Sequence, residues 1–136
     1  MPRFLVYGAN GYTGELIVRE AVRRGLVPVI AGRSADAIGR LSTELGCEGR
    51  IAGLDDPSAL ARALAGIDVV LHCAGPFSAT AAPMMRACFA ARVHYLDVTG
   101  EIDGFESATA LDADARKAGV TLCPGVGFDV VATDCV

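Results

Sequence analysis

Apolar residues along this chain recur in two patterns that alternate. Short apolar stretches cover Arg3–Tyr7, Val27–Ala31, Gly49–Leu54, Asp68–Cys73, Val93–Asp97 and Val120–Cys123. Near-continuous runs of this length read as strands buried on both faces. Between them lie segments with helical spacing, at Tyr12–Arg24, Asp36–Leu45, Ser58–Leu64, Ala79–Ala91 and Phe105–Ala118. Gly25, Gly46, Gly66 and Gly119 stand where those helices should end, as C-cap glycines do. Ser34 or Asp36 suits the N-cap of the second helix. Pro28 falls near a strand start, where a missing N–H is tolerated. Six strands alternating with five helical segments predict an α/β fold with a parallel sheet and right-handed crossovers. The expected architecture is a Rossmann doubly wound six-stranded parallel sheet, order 3-2-1-4-5-6, with helices on both faces.

The turn after the first strand sharpens that expectation. Phe4-Leu-Val-Tyr-Gly8-Ala-Asn-Gly11-Tyr-Thr-Gly14 runs from strand to helix through three glycines spaced three apart. The familiar dinucleotide fingerprint is G-x-G-x-x-G, so the spacing here is unusual. A division of labour is still expected. Gly8 turns the chain out of the strand, Gly11 clears space for phosphates, and Gly14 lets the helix pack closely. Asn10, Tyr12 and Thr13 complete the candidate contacts to a pyrophosphate at the helix N-terminus. A tight turn without a ligand is the competing reading.

In an open α/β sheet ligands bind beyond the carboxyl ends of the strands, so the residues just past each strand are informative. After the second strand, where NAD-binding domains place an acidic residue, stand Gly32, Arg33 and Ser34. A guanidinium pairs with a 2′-phosphate and a carboxylate repels it, so NADP(H) is expected over NAD(H). Asp55 follows the third strand, either at the adenine edge or as part of a cap built by Asp55-Asp56-Pro57. Ala74, Gly75 and Pro76 follow the fourth, where small residues admit the nicotinamide ribose. Phe77 reads as a pocket wall or as core. Thr99 follows the fifth as a candidate contact to the carboxamide or ribose, beside Glu101, which reads as a helix N-terminus acid or a catalytic one. His72 and His94 read as core or edge histidines rather than ligands. No catalytic residue can be assigned.

Composition narrows the classes. The 136 residues suit one domain, and 52% hydrophobic with 6% aromatic residues implies an aliphatic core. A net charge of −4 without basic runs argues against nucleic acid. Eleven arginines accompany the single lysine, Lys117. Five cysteines (Cys47, Cys73, Cys88, Cys123 and Cys135) lack C-x-x-C spacing, which supports neither zinc nor a disulfide framework. Reduced thiols and a start that reads directly into a strand lead us to expect a cytoplasmic protein, and no apolar run is long enough to be a transmembrane segment.

Five stretches together resemble the saccharopine dehydrogenase-like family, which includes trans-acting enoyl reductases. They are Gly8-Ala-Asn-Gly-Tyr-Thr-Gly14, Ala31-Gly-Arg-Ser34, Cys73-Ala-Gly-Pro-Phe77, Tyr95-Leu-Asp-Val-Thr-Gly-Glu101 and Pro124-Gly-Val-Gly-Phe-Asp129. The resemblance implies an NAD(P)-binding Rossmann domain over residues 1–124. It implies that residues 125–136 begin the connection to a second domain for substrate and dimerisation. On that basis the expected function is the cofactor domain of an oxidoreductase acting on a C=C or C–N/C=N bond in a small or lipid-like substrate. The domain alone would be inactive, and self-association to a homodimer would use the surface meant for the second domain. A non-catalytic NADP(H)-sensing module and an interaction scaffold remain the alternatives.

Overall fold

In the computed structural model, which describes residues 1–127, the six expected strands form one parallel sheet. They are β1 (Phe4–Tyr7), β2 (Val29–Gly32), β3 (Gly49–Ile51), β4 (Val69–His72), β5 (His94–Asp97) and β6 (Leu122–Cys123). The order is β3-β2-β1-β4-β5-β6, as expected. Strand order reverses between β1 and β4, whose register pairs Leu5 with Val70 and Tyr7 with His72. The Phe128–Asp129 end of the last matched stretch, Cys135 and the remaining connecting residues lie outside the described residues.

Six helices join the strands: α1 (Tyr12–Arg23), α2 (Ala35–Leu45), α3 (Pro57–Leu64), α4 (Phe77–Ala91), α5 (Ile102–Ala110) and α6 (Asp112–Ala118). Sequence signals explain several of their ends. The Ser34 hydroxyl accepts from the Ala37 N–H at 3.3 Å and caps α2. The Asp56 carboxylate accepts from the Ala59 N–H at 3.0 Å and caps α3, with Pro57 in its first turn. Gly46 and Gly119 close α2 and α6 in the left-handed conformation.

Two helical segments differ from expectation by more than a single residue at an end. α4 begins at Phe77 rather than Ala79 because the Glu101 carboxylate, distant in sequence, receives the Phe77 and Ser78 N–H groups at 3.1 and 2.9 Å. The stretch expected as one helix begins earlier, at Ile102, and breaks at Leu111 into α5 and α6. Asp112 and Asp114 fall in the first turn of α6, where acidic residues favour a new N-terminus.

The core is split by the sheet. One face packs Leu5, Tyr7, Val70 and Tyr95 against α3, α4 and Ala108 of α5. The other packs Val6, Ile30 and Cys47 against Val18 of α1 and Ile38 and Leu41 of α2. Both contain few aromatic residues, as the composition implies. No helix among the described residues is long and apolar enough to cross a membrane.

Candidate functional site

The loops after β1, β2, β3 and β4 converge at the carboxyl edge of the sheet around a cleft of about 790 Å³. Its lining includes Gly8, Asn10, Gly11, Arg33, Ser34, Asp55, Ala74, Gly75 and Pro76, all expected there, and adds Tyr7, Gly32, Gly53, Leu54, Cys73 and Thr80. The site therefore sits at the topological switch point of the sheet.

The three glycines of the first turn have separate physical reasons. Gly8 has φ +79, and a Cβ there would stand 2.9 Å from the backbone nitrogen of Ala74. It thus allows both the turn and the close approach of the loops after β1 and β4. A Cβ on Gly14 would overlap the Gly8 carbonyl, so only glycine lets α1 start so close to the turn. Gly11 is the N-cap of α1 and supplies no side-chain hydrogen bond, leaving the helix start open to an external anion. Gly14 is buried under this turn, Tyr12 is exposed, and Thr13 faces a separate groove with Leu16, Ile17 and Val126.

At the β2 end, Gly32 is buried. A Cβ would come within 2.7 Å of Asn10 Oδ1 and 3.1 Å of Ile38 Cδ1, so a side chain at the position that often carries an acid would require the ends of these two side chains to shift. Arg33 beside it is exposed and takes part in none of the ion pairs found among the described residues. The exposed carboxylate of Asp55, after β3, lines the same cleft. Within the Asp55-Asp56-Pro57 turn, Asp56 and not Asp55 makes the α3 cap. Tyr7 ties the end of β1 to the residue after β3: its hydroxyl donates to the Ala52 carbonyl at 2.8 Å. Burial raises its pKa, while the nearby Arg33 opposes that shift and Asp55 adds to it.

The loop after β4 is held from two directions. Thr80 Oγ1 lies 2.6 Å from the Ala74 carbonyl and 3.1 Å from that of Pro76, and Glu101 holds the start of α4. Phe77 is buried in the core, edge-on to His72. Cys73 lines the cleft as a thiol, its pKa pushed up to about 12 by burial and by the Asp97 carboxylate.

Thr99 is placed differently from the other candidates. It is fully buried and outside the cleft lining. Its N–H donates to Asp97 Oδ1 at 3.0 Å, and its hydroxyl accepts from the Glu101 N–H at 3.0 Å. Asp97 is the hub of this corner, since it also receives the Tyr95 hydroxyl at 2.6 Å and the Gly125 N–H at 2.9 Å. Its carboxylate ties the loop after β5 to the loop after β6. No His, Cys, Asp and Glu grouping among the described residues could hold a metal ion, and Cys47, Cys73, Cys88 and Cys123 are free thiols.

Tyr7, Thr80 and Asp97 were not singled out by the sequence. Tyr7 carries a faint signal, as the last strand residue before the glycine turn. Asp97 lies inside the Tyr95–Glu101 stretch that carries the family resemblance, but its role as a hub appears only once the loop after β6 is in place. Thr80 carries no signal, because its partners are set by the packing of separate segments.

A parallel sheet in this order, with a bare glycine turn, an uncapped first helix and an exposed arginine after β2, defines a Rossmann-type dinucleotide-binding domain. The family model for the saccharopine dehydrogenase NADP binding domain matches residues 4–123, and the chain belongs to that family. It is 29% identical over 150 residues to a probable mitochondrial saccharopine dehydrogenase-like oxidoreductase of Arabidopsis thaliana, covering 96% of this chain and 32% of the relative. It is 28% identical over 138 residues to a trans-acting enoyl reductase of Mycobacterium tuberculosis, covering 96% and 33%. The fold matches saccharopine dehydrogenase (L-Glu forming) of Saccharomyces cerevisiae with a TM-score of 0.78 at 19% identity, over 95% of this chain and 28% of that one. The chain thus spans about a third of the length of the curated relatives it matches.

Proposed function

We propose that the cleft binds NADP(H) in preference to NAD(H), as the cofactor domain of an oxidoreductase. The observation that carries the preference is the end of β2. There a buried Gly32 replaces the usual acid, and the exposed Arg33 has no ion-pair partner among the described residues. An arginine in that position offers two parallel N–H donors to a 2′-phosphate, and Ser34 adds a hydroxyl. The open start of α1 receives the pyrophosphate, Asp55 lies toward the adenine, and the Ala74–Pro76 loop borders the nicotinamide half. Hydride chemistry belongs to the bound cofactor, and these residues hold and orient it.

The reaction that goes with this reading is oxidation or reduction of a C=C or C–N/C=N bond in a small or lipid-like substrate. Because the chain spans about a third of the curated relatives it matches, the substrate side of the cleft is expected to be completed by further polypeptide, and residues 1–136 alone to turn over little. The groove of Thr13, Leu16, Leu71, Val98 and Val126 beside α1 offers apolar surface for that polypeptide or for a second copy.

Titration of the chain with NADPH and with NADH, followed by cofactor fluorescence, tests the reading. Tighter binding of NADPH supports it. Equal affinities remove the 2′-phosphate preference, and no binding of either leaves an interaction scaffold. Turnover by the full-length protein separates an enzyme from a module that only senses the cofactor.

A further inference from the structure

His72 is the last residue of β4 and lies wholly buried directly under the cleft. The rings of Tyr7, Phe77 and Tyr95 surround it, with centroids at 5.6, 5.4 and 5.9 Å. Its Nε2 is 3.0 Å from Thr80 Oγ1. The other ring nitrogen, Nδ1, is the buried side-chain atom among the described residues that has no hydrogen-bond partner.

Proton bookkeeping fixes the arrangement. The Thr80 hydroxyl has one hydrogen and two carbonyl neighbours, with Ala74 O the closer at 2.6 Å. Given to a carbonyl, that hydrogen leaves Oγ1 to meet His72 as an acceptor. Nε2 must then carry the ring proton, and Nδ1, buried without a partner, keeps an unused lone pair. Burial holds the ring neutral by pushing its pKa down to about 4. An apolar side chain of similar size would fill the same space without stranding an acceptor. What the imidazole adds is the single bond to Thr80.

Thr80 lines the cleft, and its hydroxyl reaches the carbonyls of Ala74 and Pro76 in the same lining. Glu101 holds the other end of this loop at Phe77 and Ser78. The segment between β4 and α4 is therefore fixed by side chains at both ends, and His72 sets the direction of one of them.

We propose that His72 is a positioning residue that, through Thr80, fixes the Ala74–Pro76 wall against the nicotinamide half of the bound cofactor. This rests on the NADP(H) reading of the cleft. It implies a division of the site. The 2′-phosphate and adenine half depends on Arg33 and the glycine turn, and the nicotinamide half depends on the His72–Thr80 pair.

Two ligands divide the site experimentally: NADPH, and 2′-phospho-ADP-ribose, which lacks the nicotinamide. Thr80→Val keeps the shape and removes the hydroxyl, and Thr80→Ser restores it. Loss of one hydrogen bond's positioning should weaken NADPH about fivefold in Thr80→Val while leaving 2′-phospho-ADP-ribose unchanged, with Thr80→Ser close to the parent. His72→Phe should reproduce Thr80→Val, and the double variant should add nothing further. In the unaltered protein, nitrogen NMR of the His72 ring should show the proton on Nε2. Equal weakening of both ligands, unchanged NADPH affinity in Thr80→Val, or a proton on Nδ1 would overturn the proposal while leaving the cofactor reading intact. Failure of the unaltered chain to bind either ligand would overturn both.

Discussion

Single residues set the limits of this site through very close approaches. The Gly14 Cα lies so near the Gly8 carbonyl that an added methyl group would overlap it. Neither partner is a flexible side chain, so the start of α1 must shift. Gly14→Ala should cost on the order of 1–3 kcal/mol, read as a lowered urea midpoint, and should weaken dinucleotide binding as well. His72 gives a second expectation at this scale. Its ring titrates near 4 in the folded chain and near 6.5 in the unfolded one. Between those values the unfolded state binds more protons, so stability rises with pH across that window and is lost as pH falls through it. The full effect is on the order of 3 kcal/mol, and His72→Phe should flatten the pH dependence of stability between about 4 and 6.5. The same two residues differ in how far the sequence revealed them. The spacing of the glycines identified Gly14 with its packing role. His72 was legible only as a strand histidine, because its half-paired state depends on Thr80 and three rings from separate elements.

Elements were legible where local chemistry decides them. The strand order follows from apolar runs and from the glycine turn, and the caps on α2 and α3 are made by residues adjacent to the helices. The start of α4 is different: its cap is Glu101, which arrives from the loop after β5. Sequence reading left this acid as a helix N-terminus residue or a catalytic one, and the structure shows its carboxylate serving α4 while its backbone begins α5. Glu101→Ala should therefore destabilise by about 1 kcal/mol and loosen the first turn of α4 rather than α5. Hydrogen exchange at the Phe77 and Ser78 amides checks this; faster exchange confined to α5 would contradict it. Thr99 belongs to the same corner. Its position after β5 suggested a cofactor contact, but the chain turns back through Asp97 and buries its hydroxyl against the Glu101 N–H. A strand-end position alone does not show which way the adjoining loop folds.

Across the whole molecule, the sheet order brings four loops into one cleft, and residues 4–123 carry the family's NADP-binding domain. The two ends of the cleft are built differently. The β2 end has a buried glycine and an exposed arginine, while the β4 end is a loop fixed by Thr80 and Glu101. The curated relatives are about three times as long as this chain. Selection of the 2′-phosphate by Arg33 is the centre of this functional reading. It is tested most directly by measuring NADPH and NADH affinities of Arg33→Ala beside those of the parent chain. Loss of a charge-assisted pair predicts that NADPH weakens by about tenfold or more while NADH changes little. Equal weakening of both cofactors, or no change in either, would contradict it.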